Sequence, residues 1–105
     1  MAAQENGKVH YVDITRDNGN FKYSNDSFEV ERGDFIEWSC EETNGEDYTV
    51  IFQKTPFYWK EKEKKCGQKI KDKIKEEAED GEYKYKVSVN DGQNVWTDDS
   101  IFIVK

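Results

Sequence analysis

The sequence predicts an all-β domain, a two-sheet sandwich of antiparallel or mixed strands, and three observations carry that prediction. Apolar and polar residues alternate along one run after another, which marks strands with one buried and one wet face. Clusters of turn-forming residues separate these runs at short, regular intervals. No segments of helical crossover length alternate with the strands, so a parallel α/β sheet is excluded.

The runs can be taken in chain order. Lys8 to Thr15 reads as a terminal strand, and in Phe35 to Cys40 the residues Ile36, Trp38 and Cys40 share one face. Tyr48, Val50 and Phe52 share a face in the next run. The cleanest alternation is Tyr83, Tyr85, Val87 and Val89 against Lys84, Lys86, Ser88 and Asn90. Ile101 to Val104 is apolar on both faces and is expected to be central or covered. Trp96, between Val95 and Thr97, is expected in the core. Turns are expected at residues 17–20, 31–34, 43–46, 80–81 and 90–92, each of which carries Gly, Asn or Asp. Residues 60–80 are ambiguous, because Ile70, Ile74 and Ala78 align on a helix face and equally on a strand face. Irregular structure or one short helix is expected between residues 58 and 70, followed by a strand from Ile70 to Ala78.

A chain of 105 residues accommodates one domain, expected over residues 8–105 behind a flexible N-terminus at residues 1–7. Six Phe, six Tyr and three Trp imply an aromatic-heavy core despite the low hydrophobic fraction. No apolar run has the roughly 20 residues of a membrane helix, so no membrane association is expected. The first residues lack a basic n-region and an apolar h-region, so no signal peptide is expected there. The chain reads as cytoplasmic if Met1 is its native start, and as extracytoplasmic if a leader was removed.

The net charge of −7 argues against a nucleic-acid partner, and it is unevenly distributed. From Lys54 to Lys75, nine lysines face only Glu61, Glu63 and Asp72, a net +6 that leaves −13 on the rest. Cys40 and Cys66 are read equally as two independent thiols or as one bridge, with Cys40 buried beside Ile36 and Trp38. The sequon Asn25-Asp26-Ser27 arises often by chance and carries little weight.

The order of several motifs resembles the cupredoxins. Phe28-Glu29-Val30-Glu31-Arg32-Gly33-Asp34-Phe35-Ile36-Glu37-Trp38 is similar to that family's Gly-Asp turn and Trp-bearing strand. Tyr48 to Phe52 resembles the next strand, Thr55-Pro56-Phe57 the Pro-Phe after it, and Gly81-Glu82-Tyr83-Lys84-Tyr85 the strand before the ligand loop. The resemblance spans residues 8–105 and implies a Greek-key sandwich. It also implies that copper would be held by two His and one Cys where this chain has Tyr48, Val87 and Asn90. With His10 the one histidine and Met1 the one methionine, neither copper nor another cofactor is expected.

Other chemistries find few residues. A zinc site would have to combine Cys40, Cys66 and His10 without the short paired spacings such sites use, and no nucleophile elbow accompanies His10. Asp98-Asp99 reads as a solvated turn in preference to a cation site. No enzymatic activity is expected. Three consecutive aromatics, Phe57-Tyr58-Trp59, cannot all point inward, so at least one is expected to be exposed. With Lys62, Lys64 and Lys65 they form the candidate binding surface of a non-enzymatic interaction module for a protein or glycan. The alternatives are a structural or assembly domain that uses its sheet edges, and a carbohydrate-binding module using Tyr58, Trp59 or Trp96.

Overall fold

A computed structural model describes residues 7–17, 20–41 and 45–105. The expected turns at 17–20 and 43–46 fall partly, and the N-terminal stretch almost wholly, outside the described residues. Nine strands are present among them: β1 (Val9–Asp17), β2 (Asn20–Tyr23), β3 (Phe28–Val30), β4 (Phe35–Cys40), β5 (Asp47–Phe52), β6 (Glu61–Lys65), β7 (Lys69–Lys73), β8 (Gly81–Asn90) and β9 (Val95–Val104). They build two mixed sheets in a sandwich-like arrangement, ordered β2-β1-β4-β7 and β3-β9-β8-β5-β6. The pairs β1/β4 and β3/β9 are parallel, and the other pairs are antiparallel.

The alternating runs bury the faces their patterns assign. Ile36, Trp38 and Cys40 of β4 face Tyr48, Val50 and Phe52 of β5 and Tyr83, Tyr85, Val87 and Val89 of β8 within one buried cluster. Trp38 is its hub, meeting Phe52, Phe57, Trp59 and Tyr85 edge-on with ring centroids 5.5 to 6.1 Å apart. Edge-to-face contact sets positive ring edges against negative ring faces, which suits a core built from aromatics. β9 lies between β3 and β8, the central position expected for it, with Phe102 and Val104 buried and Ile101 and Ile103 half-buried on its other face.

Residues 58–80 depart from expectation. No helix occurs among the described residues, and β6 occupies much of the segment where a short helix was expected. Its alternation escapes notice because its inward register positions, Lys62 opposite Val50 and Lys64 opposite Tyr48, are charged. β7 ends at Lys73, not Ala78, because the Ile74 N–H bonds to the Asp34 carbonyl at 2.8 Å and the Lys75 N–H to the Pro56 carbonyl at 2.9 Å. Ile74 and Ala78 stay buried from the irregular segment that follows.

Polar groups close both ends of the sandwich beside β1. At one end His10 stacks on Phe28 with centroids 5.8 Å apart, and its Nε2 lies 2.8 Å from Asp34 Oδ2. At the other, the Arg16 guanidinium sits 3.9 Å above the Trp96 ring and pairs with Glu46 at 2.5 Å. Trp96, opposite the buried Val89 near the start of β9, is therefore a half-buried end cover under Arg16, outside the core cluster where it was expected.

Candidate functional site

The loop from Gln53 to Lys60 carries the three consecutive aromatics, and Pro56 at its centre fixes the backbone direction. Thr55 Oγ1 accepts the Phe57 N–H at 3.0 Å, a local turn that sends Phe57 into the core. Phe57 and Trp59 then point to the same side, stacked with centroids 4.9 Å apart and planes 6° apart. Tyr58 points away and is 81% exposed. Of the three, then, Phe57 is wholly buried and cannot be a contact residue, while Trp59 is half-buried against the core.

The surroundings of these rings divide in the same way. Trp59 Nε1 donates to Asp72 Oδ2 at 2.7 Å, and Lys62 Nζ lies 5.2 Å from the ring centroid and 3.7 Å from Asp72. Trp59, Lys62 and Asp72 thus form one group that closes the gap between edge strands β6 and β7. Tyr58 donates its hydroxyl to Glu77 Oε1 at 2.9 Å, and Lys75 Nζ stands 5.3 Å from its ring. The hydrogen bond to Glu77 raises the Tyr58 phenol above its usual value and lowers the Glu77 carboxyl. Lys64 and Lys65 are exposed on β6, Lys65 within 3.5 Å of Asp47.

The three positions matched to copper ligands lie on the paired strands β5 and β8, Tyr48 and Val87 on the buried face and Asn90 at the exposed strand end. Tyr48 is buried, its hydroxyl donating to the carbonyls of Gln68 at 2.7 Å and Trp38 at 3.2 Å, and burial pushes its phenol up. Val87 is buried opposite Val50. Asn90 is exposed at the end of β8, where its Oδ1 accepts the Gly92 N–H at 2.8 Å. Among the described residues no group of three or more His, Cys, Asp or Glu is placed to hold a metal ion. No helix among them is long and apolar enough to cross a membrane.

Asp98 and Asp99 lie inside β9, not in a turn, and so point to opposite faces. Asp98 accepts the Tyr23 hydroxyl at 2.9 Å, and burial pushes the Tyr23 phenol up. Two residue groups carry contacts that the sequence left open. Asp34 takes hydrogen bonds from the backbone N–H of Lys8 and of Glu31, each 3.0 Å, besides His10. Cys40 and Cys66, 26 residues apart, meet with sulfurs 2.7 Å apart. Compared with protein-family models and with curated proteins, the chain matches none.

Proposed function

We propose that this protein is a non-enzymatic interaction module on a metal-free, cupredoxin-like Greek-key sandwich, and that it binds an acidic protein surface through Tyr58. One observation carries the reading: Tyr58 is a large ring held 81% exposed within the lysine-rich segment of an otherwise acidic chain. An exposed tyrosine offers apolar area with two torsions to immobilise, plus a hydroxyl, which suits a contact anchor. The segment that carries it is net positive, which speeds encounter with a negative partner, while Glu77 holds the ring in place through its hydroxyl. The cupredoxin-like assignment is supported by the two mixed sheets, by Gly33 at φ 89° leading into the Trp38 strand, and by the Tyr83–Tyr85 strand beside β5.

The competing readings have less support. Sugar binding wants a platform of open aromatic faces, whereas Trp59 is stacked on Phe57, Trp96 lies under Arg16, and Tyr58, the one open ring of the three, has Lys75 Nζ 5.3 Å from its centroid. Assembly through the β6 edge would set a second strand against lysines at inward positions, a pattern that discourages pairing.

The test is a cross-linked pull-down with the intact protein, repeated with Tyr58→Ala. A partner with an acidic surface, lost or depleted with Tyr58→Ala and recovered with Tyr58→Phe, supports the reading. A partner retained equally by the alanine variant places the contact elsewhere.

A further inference from the structure

The geometry at the corner between β6 and β7 points to a modification site: we propose that Cys40 and Cys66 form an intramolecular disulfide that ties the two sheets together. Cys66 lies in the three-residue turn that carries the chain from β6, the edge of one sheet, to β7, the edge of the other. Cys40 ends β4, beside β7. Their sulfurs are 2.7 Å apart, with both side chains buried.

The backbone around this pair is already held in place. Gly67 N–H donates to the Cys40 carbonyl at 2.9 Å, and Cys66 N–H to the Glu46 carbonyl at 2.8 Å. The Tyr48 hydroxyl clamps the same turn to β4 by bonding to the carbonyls of Gln68 and Trp38. Gly67 takes φ 100°, a left-handed conformation that costs glycine little. Two cysteines fixed at this separation need only a small approach of the sulfurs to reach the bond length of about 2.05 Å.

The oxidant is a low-molecular-weight disulfide such as oxidised glutathione. One cysteine thiolate attacks a glutathione sulfur, forming a mixed disulfide and releasing one glutathione thiolate. The second cysteine then attacks the mixed disulfide at the protein sulfur, forming the Cys40–Cys66 bond and expelling the second glutathione. The two cysteine protons end on the two glutathione thiolates, so the protein loses two protons and two electrons and two reduced glutathiones form. Burial, with the neighbouring Cys66 thiol adding to it, pushes the Cys40 thiol up, so attack in the closed structure is slow and proceeds through opening of the corner.

The experiment equilibrates the whole protein with excess oxidised glutathione, quenches with acid, and measures intact mass and alkylatable thiols in denaturant. Expected are the loss of two hydrogens, no retained glutathione, and a Cys40–Cys66 linked peptide in an unreduced digest. The bridge closes a loop containing β5 and β6, so the bridged form should melt roughly 10 °C or more above the reduced form. Cys40→Ala and Cys66→Ala, each compared with and without oxidant, should show no such rise, whatever their own stability. The proposal is overturned if wild type retains both thiols, if it ends as a stable glutathione adduct or a disulfide-linked dimer, or if its bridged form melts no higher than its reduced form.

Discussion

Lys62 Nζ lies 3.7 Å from Asp72 Oδ2, and the two side chains occupy inward register positions on the edge strands of opposite sheets. Such positions normally carry apolar residues. Here a charged pair capped by the Trp59 indole closes the open side of the sandwich, where solvent can still reach both charges. An edge built this way forgoes some burial and gains resistance to pairing with another chain.

The first prediction tests that role directly. Replacing Lys62 and Lys64 together by Val converts β6 into an apolar, β-branched edge strand beside Val50 and Tyr48. The variant should form oligomers or aggregate at concentrations where wild type stays monodisperse, as read by light scattering during a slow thermal ramp. Unchanged scattering would mean that these lysines do not guard the edge.

Asp34 should govern part of the acid sensitivity. Desolvation pushes its carboxyl up, but the hydrogen bonds from Glu31, His10 and Lys8 together outweigh it and leave the carboxyl below its ordinary value of 3.8. A depressed folded-state value contributes stability that is present above the unfolded-state value, about 4, and lost as pH falls through the folded one. Asp34→Asn should therefore cost about 1–3 kcal/mol at pH 7, with the difference from wild type shrinking below about pH 4. Urea midpoints at pH 7, 5 and 3 measure this, and a pH-independent difference would assign the effect to packing alone.

Tyr85 should tolerate loss of its hydroxyl. Burial pushes its phenol up, opposed in part by the Trp38 indole N–H and by Ser100, but neither its oxygen nor that indole N–H, on a ring 5.5 Å away, makes a well-formed hydrogen bond among the described residues. Removing a buried polar atom that lacks a good partner removes its desolvation cost as well. Tyr85→Phe should thus change the urea midpoint by less than the equivalent of about 0.5 kcal/mol, or raise it. A loss above about 1 kcal/mol would reveal a hydrogen bond worth keeping.

Strands β4, β5 and β8 were legible in the sequence because their inward faces, such as Ile36-Trp38-Cys40, alternate strictly with polar residues. β6 was not, since register with β5 and the Lys62–Asp72 pair hold a strand whose own residues show no apolar face. The aromatic triplet yielded the correct inference that one ring must be exposed, but its identity depended on the turn made by Thr55 and Pro56. Trp96 misled because composition cannot distinguish the middle of a sandwich from its end. The meeting of Cys40 with Cys66 arises from the β6–β7 corner, which no local pattern announces.

Trp59 and Tyr58 should separate stability from binding. Trp59 packs on Phe57 and Trp38 and bonds to Asp72, so it supports the fold as well as bordering the candidate surface. Trp59→Ala should cost roughly 2–4 kcal/mol, somewhat less than truncation of a fully buried aromatic. Tyr58→Ala removes an exposed ring and should stay within about 0.5 kcal/mol of wild type. Chemical denaturation of both variants decides the matter, and a large loss for Tyr58→Ala would disqualify it as a binding probe.

The last prediction concerns rates of association with the acidic partner identified by pull-down. Lys60 and Lys64 are exposed, whereas Lys62 belongs to the Trp59–Asp72 group, so charge reversal at the first two leaves the sheet edge intact. Lys60→Glu with Lys64→Glu removes two positive charges and adds two negative ones, and should slow association at low salt. Exposed charges are screened beyond about 10 Å at 0.1 M ionic strength, so the difference from wild type should fade as salt rises. Dissociation should change little, because the lysines steer the encounter without anchoring the complex. Tyr58→Ala should do the reverse, leaving the association rate near wild type and raising the dissociation rate by about tenfold or more, the equivalent of 1.4 kcal/mol for an anchor at the centre of a contact. Stopped-flow or surface-capture kinetics at several salt concentrations resolve the two effects. If the double reversal slows association equally at all salt concentrations, the lysines are not steering, and if Tyr58→Ala leaves dissociation unchanged, the ring is not the anchor.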